Sequence, residues 1–123
     1  MAKILIIDDN ITIVRLLQMQ LGRHGLEGHF YMAGEPGLKA ARGIQPDLAV
    51  LDYDLPDIKG VDVMRQLREM PGLETLPVVM ITARTSSGLL PSLLKAGANN
   101  VLSKPFSPVE LVHLIQALLK EHG

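Results

Sequence analysis

The amino-acid sequence predicts an α/β domain in which a doubly wound parallel sheet is covered by helices on both faces. Five short apolar runs alternate with five longer segments whose apolar residues recur at helical spacing. The apolar runs are nearly continuous, which is typical of strands that are buried on both faces. Parallel strands joined by helices connect through right-handed crossovers. We therefore expect one five-stranded parallel sheet.

Five apolar runs predict the strands. All are short, and each ends at a polar or turn-forming residue. The second run has the weakest strand pattern. In chain order the runs are Lys3–Ile7, Leu26–Met32, Asp47–Leu51, Pro77–Ile81 and Asn100–Ser103.

Capping residues and apolar stripes predict the first three helices. Asn10 is suited to cap the first helix, whose apolar stripe ends at two glycines. Pro36, just inside a helix start, opens a second short helix that reaches about Arg42. The third helix covers about residues 59 to 69. The stripes of the first and third helices are Ile13, Val14, Leu17 and Leu21, and Gly60, Val63, Met64 and Leu67.

The last two helices differ in how well the sequence defines their starts. Segment 86–96 has helical spacing, but Gly88 and Pro91 leave its first turn poorly specified. The final helix begins with a capping box at Ser107, and Pro108 occupies its first helical position. Its apolar stripe is Leu111, Leu114, Ile115 and Leu118.

Length and composition indicate a single domain over residues 1–123. The chain has 123 residues, of which 47% are hydrophobic and 20% are charged. A chain of that size can bury a core without disulfide bonds, and its composition excludes intrinsic disorder. The sequence contains no cysteine, which excludes thiol catalysis and thiolate metal sites.

Charge and hydropathy predict a protein that binds neither nucleic acid nor membrane directly. The 12 Lys and Arg residues nearly balance the 13 Asp and Glu residues, and no basic run occurs. No apolar stretch is long enough to span a bilayer. Met1-Ala2-Lys3 leads directly into the first strand, without the pattern of a signal peptide. We therefore expect a cytoplasmic location.

Polar side chains follow four of the five predicted strands, at the point where each apolar run ends. Asp8 and Asp9 follow the first run and Asp52 the third. Thr82 follows the fourth run and Lys104 the fifth. In a parallel sheet the carboxyl ends of the strands meet at one edge, where ligands bind beside the reversal of strand order. We therefore expect these five residues to converge.

Three carboxylates, a hydroxyl and an ammonium group suit phosphoryl transfer. At ~4 Å and an effective dielectric of about 20, two carboxylates repel by about 4 kcal/mol, so the cluster either raises its pKa values or holds a cation. Oxygen ligands favour Mg²⁺, with Mn²⁺ as an alternative. One aspartate would attack phosphorus while the cation and Lys104 stabilise the charge. The alternative is that each residue merely ends a strand or forms a turn, which explains their joint placement less well.

Short motifs at the strand ends extend this pattern over the whole chain. They are Ile6-Ile7-Asp8-Asp9, Val50-Leu51-Asp52 followed by Leu55-Pro56 and Gly60, Ile81-Thr82-Ala83, Gly97-Ala98, and Lys104-Pro105-Phe106. With these motifs in this order, the chain resembles the receiver domain of two-component response regulators. The resemblance implies a (βα)₅ flavodoxin-like fold with strand order 2-1-3-4-5. It also implies a phosphorelay, in which a histidine kinase or phosphotransfer domain passes a phosphoryl group to an aspartate.

The resemblance assigns the acidic residues to phosphoryl acceptance and metal binding. Asp52 would be the phosphoacceptor. Asp9, Asp52 and the backbone carbonyl of Asp54 would bind Mg²⁺ directly, and Asp8 would act mainly through water. The domain would therefore catalyse only its own phosphorylation and dephosphorylation.

The resemblance also assigns the residues that would bind the phosphoryl group and transmit the signal. Thr82 and the adjacent Ala83 would contact the attached group, and Lys104 would pair with it across a cis bond to Pro105. Val101 stands where family members commonly carry Tyr or Phe. In the family the movement of that ring couples phosphorylation to the face formed by helix 4, strand 5 and helix 5. Because valine cannot swing a ring, we expect the aromatic part of this switch to be missing.

Leucine-rich segments near the C-terminus leave two interpretations open. Their apolar residues either form a wide core face or present a patch to a downstream protein, an output domain or a second copy. Under the second interpretation, a second copy would form a homodimer through helix 4, strand 5 and helix 5. The residues concerned are Leu89, Leu90, Leu93, Leu94, Val112 and Leu119.

Two charged residues lie close in sequence to the predicted site residues, and one of them has two interpretations. Asp54 and Arg84 come two residues after Asp52 and Thr82, at positions that in the family tune how fast the phosphoryl group is lost. Arg84 would either screen that group from water or point into solvent.

Other functional classes explain single features of the chain. Asp52-Tyr53-Asp54 resembles the nucleophile motif of haloacid-dehalogenase-type phosphatases, in which the second aspartate is a general acid. That motif would belong on the first strand and here follows the third. A flavin carrier would need stacking aromatics, and only 3% of the residues are aromatic. A receiver used only for docking would lack a site residue, and none is lacking. The sequence leaves open whether the domain acts alone or within a longer chain.

Overall fold

The computed structural model describes residues 1–84 and 86–122, in which five strands alternate with five helices. Each strand is followed by a helix. The elements are β1 (Lys3–Ile7), α1 (Ile11–Arg23), β2 (Glu27–Tyr31), α2 (Gly34–Ile44), β3 (Leu48–Asp52), α3 (Gly60–Arg68), β4 (Val78–Thr82), α4 (Leu89–Lys95), β5 (Asn100–Ser103) and α5 (Pro108–His122).

The strands form one parallel sheet in the order β2-β1-β3-β4-β5, which confirms the predicted fold class. The chain first adds β2 on one side of β1 and then adds the remaining strands on the other. Strand order therefore reverses between β1 and β3, and a ligand site is expected at their carboxyl ends.

Two apolar layers hold the sheet between the helices. Successive side chains of β1 point to opposite faces, so that Leu5 and Ile7 enter one layer while Ile4 and Ile6 enter the other. The first layer packs under α2, α3 and α4, and the second under α1 and α5. All five residues of β3 are buried, so the strand that ends in Asp52 has little freedom to move.

Local caps begin two helices as predicted. The side-chain oxygen of Asn10 accepts hydrogen bonds from the backbone amides of Thr12 at 3.0 Å and Ile13 at 3.2 Å. Ser107 accepts one from the amide of Glu110 at 3.2 Å. These bonds satisfy amides that have no partner within the first turn of a helix.

The predicted start of α2 was wrong by two residues. The helix begins at Gly34, and Pro36 lies within its first turn, where a missing backbone N–H costs nothing. The cap comes from a distant residue, since the carboxylate of Asp57 accepts hydrogen bonds from the amides of Gly34 and Glu35. The helix also continues to Ile44, beyond the predicted end at Arg42.

The segment 86–96 is helical only from Leu89 to Lys95. Gly88 precedes the helix with a φ of +94°, a left-handed conformation that favours glycine and cannot continue a helix. The poorly specified first turn is therefore absent among the described residues.

Two strands end one residue later than predicted. Asp52 pairs with Ile81 and Thr82 pairs with Ser103, so both polar residues belong to their strands instead of following them. Both strands also begin one residue later, and β2 is shorter than predicted by one residue at each end. Because backbone pairing fixes Asp52 and Thr82, their side chains have defined positions at the sheet edge.

The leucine-rich segments divide between core and surface. Val112 is fully buried and Leu93 is nearly so, which supports the wide core face at these positions. Leu94 is 50% exposed, while Leu89, Leu90 and Leu119 are half-buried. The surface patch is thus smaller than the sequence suggests.

Within residues 1–84 and 86–122, no helix combines the length and apolar character needed to cross a membrane.

Candidate functional site

The carboxyl edge of the sheet brings the predicted site residues together. Asp8, Asp9 and Asp52 present carboxylate oxygens that lie within 4.8 Å of one another. The Nζ atom of Lys104, which follows β5, lies 3.0 Å from Oδ2 of Asp52 and 3.2 Å from Oδ2 of Asp8. Thr82 ends β4, the strand next to β3. The predicted convergence is therefore confirmed for Asp8, Asp9, Asp52 and Lys104, while Thr82 lies at the end of the adjacent strand.

Burial sets the electrostatics of this cluster. The side chains of Asp8 and Asp52 are 2% and 5% exposed, and that of Lys104 is 17% exposed. Burial raises the pKa of Asp52, and the nearby charge of Asp8 adds to this increase, although the hydrogen bond from Lys104 opposes it. Burial also disfavours the charged form of Lys104, but its hydrogen bond to Asp52 and the charges of both aspartates outweigh that effect and raise its pKa. Lys104 is therefore held as a cation.

The arrangement fits a hard divalent cation. The buried Oδ2 of Asp8 accepts no hydrogen bond from the described residues. The hydrogen bonds of Lys104 Nζ run to Oδ1 of Asp8 and Oδ2 of Asp52. A buried carboxylate oxygen that accepts no hydrogen bond is costly even 3.2 Å from an ammonium nitrogen, and one ammonium group cannot balance three carboxylates. Carboxylate oxygens are the ligands that Mg²⁺ prefers, so Asp8, Asp9 and Asp52 are suited to hold that ion.

Asp54 and Arg84 are joined to each other at the edge of this cluster. The Arg84 guanidinium donates to both carboxylate oxygens of Asp54 at 3.0 to 3.1 Å, and Lys59 donates to Oδ1 at 3.1 Å. The Arg84 side chain, although 54% exposed, is therefore held by Asp54, and its screening of a phosphoryl group from water stays a prediction. The bond from Arg84, followed by that from Lys59, lowers the pKa of Asp54. An aspartate held in its ionised form is poorly suited to be the general acid of a phosphatase.

The sequence alone did not identify Tyr53, Lys59 or Asp57 as residues of this region. The Tyr53 ring lies 5.3 Å from Lys59 Nζ and 5.8 Å from the guanidinium carbon of Arg84, so both cations face the ring. Asp57 fastens the loop between β3 and α3 to the start of α2. Asp57 follows a proline in a loop, so its only sequence signal is that of a turn residue.

The remaining predicted positions lie around the site. The bond between Lys104 and Pro105 is cis, as expected from the resemblance. Ala83 follows Thr82 and is exposed. Val101 pairs with Met80 in the sheet and packs, half-buried, against the apolar layer under α2, α3 and α4. The role of Val101 in signalling stays a prediction.

Comparison with known proteins agrees with the fold and the site. The family model described as the response regulator receiver domain matches residues 4–116. The alkaline phosphatase synthesis transcriptional regulatory protein PhoP of Bacillus subtilis is 39% identical over 118 residues, which cover 96% of this chain and 48% of PhoP. The chain thus spans about half the length of the curated relatives that it matches.

Solved structures show the same likeness. The receiver domain of the Francisella response regulator 1452 superposes with a TM-score of 0.90 at 25% identity, with complete coverage of both chains. The receiver domain of the sensor histidine kinase PA1611 of Pseudomonas aeruginosa has a TM-score of 0.85 at 25% identity, covering 97% of this chain and 98% of the other. That structure has a magnesium ion coordinated in its active-site cleft.

The family match covers most of the chain, and the sheet order and the acidic cluster agree with it. The chain therefore belongs to the response regulator receiver domain family.

Proposed function

We propose that residues 1–123 form a single receiver domain that accepts a phosphoryl group on Asp52 in a Mg²⁺-dependent reaction. One observation carries the proposal. The two Asp52 oxygens are held separately, Oδ1 by the backbone amide of Asp54 at 3.1 Å and Oδ2 by Lys104 Nζ at 3.0 Å, beside two further carboxylates. Such a group is fixed in direction and faces a cation that can balance a phosphoryl group.

The reaction transfers a phosphoryl group from a histidine of the donor to the Asp52 carboxylate. A new O–P bond forms as the N–P bond breaks, and the imidazole leaves with the bonding electron pair. Asp8, Asp9, Asp52 and the backbone carbonyl of Asp54 would hold Mg²⁺, which neutralises phosphoryl charge when bound. Lys104 stabilises the same charge, and the Thr82 hydroxyl and the Ala83 amide bind phosphoryl oxygens once the group is attached. Mn²⁺ is an alternative to Mg²⁺, since it accepts the same ligands.

The surface beside the site supports docking of a protein phosphodonor. Ile13 and Leu16 of α1 face Pro105, Phe106 and Pro108 across an apolar groove of about 170 Å³. Pro105 is covalently bonded to Lys104, so the groove adjoins the residue whose side chain contacts the Asp52 carboxylate. A histidine kinase or phosphotransfer domain that buried this groove would bring its phosphohistidine to Asp52.

The downstream part of the proposal concerns the face formed by α4, β5 and α5. We propose that this face contacts an output domain, a downstream protein or a second copy in a homodimer, and that the exposed Leu94 belongs to it. The near balance of acidic and basic residues supports a domain that does not itself contact nucleic acid. Location in the cytoplasm stays a prediction.

Acetyl phosphate and Mg²⁺ test the chemistry directly. Intact mass measurement is expected to show a base-labile gain of one phosphoryl group, which EDTA and Asp52→Asn abolish. Asp62→Asn is the matched control, because Asp62 is an aspartate on the surface of α3, away from the cluster. No gain while Mg²⁺ still binds would overturn the proposal in favour of docking alone. Steady release of phosphate from a phosphomonoester would favour a phosphatase instead.

A further inference from the structure

We propose that Asp54 and Arg84 are positioning residues whose ion pair, the Asp54–Arg84 bridge, fixes the Thr82 hydroxyl relative to the Asp52 carboxylate. The consequence for phosphorylation rests on the function proposed above. The bridge itself is a property of the resting protein and can be tested there.

Each residue of the bridge is also bonded to one reacting side chain. The backbone N–H of Asp54 donates to Asp52 Oδ1 at 3.1 Å, and the backbone N–H of Arg84 donates to Thr82 Oγ1 at 3.0 Å. The side chains of Asp54 and Arg84 then join to each other. Two backbone hydrogen bonds and the ion pair between Asp54 and Arg84 thus connect Asp52 to Thr82 outside the sheet.

Sheet pairing closes this set of bonds into a ring. Asp52 pairs with Ile81, and the backbone amide of Tyr53 donates to the carbonyl of Ile81 at 2.8 Å. The strands fix the backbone ends of both side chains, and the bridge fixes the residues that hold their oxygen atoms. A carboxylate and a hydroxyl held from both sides keep their mutual orientation before any phosphoryl group arrives.

Neighbouring groups restrict the guanidinium to this geometry. A planar guanidinium that donates to both oxygens of a carboxylate is oriented as well as bound. The Tyr53 ring lies 5.8 Å from the guanidinium carbon and limits movement on that side. Arg84 and Asp54 are partly exposed, so the pair contributes a modest energy, suited to orientation more than to overall stability.

The effects of substitutions distinguish an indirect role of Arg84, through Asp54, from direct contact between Arg84 and the phosphoryl group. If Arg84 acts through Asp54, then Asp54→Asn, Arg84→Gln and the double variant should all slow phosphoryl gain by the same factor. That factor is expected to be about two- to fivefold. If Arg84 contacts the phosphoryl group itself, Asp54→Asn should release it and speed the reaction while Arg84→Gln slows it.

Phosphorylation by acetyl phosphate at saturating Mg²⁺, followed by intact mass, measures these rates. Lys59→Gln is the matched control, because it removes the other cation from Asp54 while leaving the bridge, and the rate should match that of the unaltered chain. Opposite effects of the two single variants, or additive losses in the double variant, would overturn the proposal.

Hydrogen exchange in the absence of any phosphodonor separates this proposal from the proposed function. The backbone amide of residue 84 should exchange faster in Asp54→Asn and Arg84→Gln than in Lys59→Gln, while the amides of β3 stay protected. Unchanged exchange at residue 84 would overturn the bridge even if Asp52 is phosphorylated. Faster exchange at residue 84 in Asp54→Asn and Arg84→Gln would support the bridge even if the unaltered chain is not phosphorylated. In that case the proposal that Asp52 accepts a phosphoryl group would be rejected.

Discussion

Asp57 caps the helix that begins at Gly34, although 23 residues separate the two in the chain. Its Oδ1 atom accepts a hydrogen bond from the amide of Gly34 at 2.8 Å, and its Oδ2 atom accepts one from Glu35 at 2.7 Å. Ala33, the residue before α2, provides no side-chain cap. The anionic carboxylate also lies at the positive end of the helix dipole. The loop that follows β3 is therefore fastened to α2.

Asp57→Ala should lower the midpoint of thermal unfolding by about 3–6 °C, because two amides lose their acceptor. The hydrogen bonds from Glu35 and Gly34 lower the pKa of Asp57 in the folded state. Its contribution is therefore complete above the pKa of an unfolded aspartate, about 4, and is lost as the pH falls through the lower folded pKa. Thermal unfolding of both proteins between pH 7 and pH 3 measures this. A difference that stays constant over that range would contradict the capping role, and Asp62→Ala serves as an exposed control.

Gly60→Ala should destabilise the fold by about 2–3 kcal/mol, because there is no space for a side chain between α3 and the end of β3. An added Cβ would collide with the backbone oxygen of Asp52 and lie 2.9 Å from both the Tyr53 Cα and the Met80 sulfur. Relief requires moving the backbone that carries Asp52. Urea unfolding measures the change in stability. The rate of phosphorylation by acetyl phosphate tests whether the backbone that carries Asp52 has moved.

Gly43→Ala is the matched control for this substitution. Apart from its chain neighbours and the backbone of its own helix, no described atom lies within 4 Å of an added Cβ at Gly43, which is also helical. There the substitution should stabilise the protein by about 0.5–1 kcal/mol, since alanine favours the helix. Equal effects at the two glycines would show that the close approach at Gly60 is unimportant.

Local signals explain which parts of the fold could be predicted. Asn10 and Ser107 cap helices within three residues of themselves, so the starts of α1 and α5 are readable from short stretches of sequence. The start of α2 depends on Asp57, which no local pattern connects to Gly34. The ends of β3 and β4 were similarly misplaced, because the pairing partners of Asp52 and Thr82 come from other strands.

The candidate site also has one part that the sequence predicts and another part that depends on contacts between distant residues. Asp8, Asp9, Asp52 and Lys104 could be expected together because a parallel sheet places all its carboxyl ends at one edge. The bond between Arg84 and Asp54 could not be predicted, since it joins two exposed side chains from different loops. Only the folded loops decide whether such long side chains meet.

Asn99→Asp should stabilise the protein by about 0.5–1 kcal/mol, because it would give a partly buried arginine a counter-ion. Arg68 donates to the carbonyl oxygens of Leu76 and Gly97 and to Asn99 Oδ1, all of them neutral acceptors. Among the described residues, no carboxylate forms an ion pair with Arg68. Burial accordingly lowers the pKa of Arg68.

Urea unfolding at neutral pH measures this gain. Asn100→Asp is the control, because it adds the same charge at the next residue, which has no described bond to Arg68. The gain at Asn99 should shrink in high salt, as screening weakens a partly exposed pair. An equal gain from Asn100→Asp would attribute the effect to net charge instead of the contact with Arg68.

Lys104→Met should destabilise the Mg²⁺-free protein by about 3 kcal/mol at pH 8, because Asp8 and Asp52 would remain buried without a counter-ion. The pKa of Asp52 is already raised by burial and by Asp8, and removal of the opposing Lys104 hydrogen bond should raise it further. A folded pKa above the unfolded one means that stability is complete at low pH and is lost as the pH rises through the folded value. The deficit of the variant should therefore be smaller at pH 5 than at pH 8.

Mg²⁺ should reduce the same deficit, because a divalent cation held by the carboxylates replaces the missing positive charge and binds only the folded state. Thermal unfolding at pH 8 with increasing Mg²⁺ is expected to show a larger rise in midpoint for Lys104→Met than for the unaltered chain. Lys59→Met, at an exposed lysine paired with Asp54, should change little in either condition. If Mg²⁺ raised all three midpoints equally, the ammonium group of Lys104 would not be balancing the charge of Asp8 and Asp52. A larger rise for Lys104→Met alone would mean that the lysine and the cation neutralise the same two carboxylates. Each positive charge would then stabilise the fold less when the other is present, before any phosphoryl group arrives.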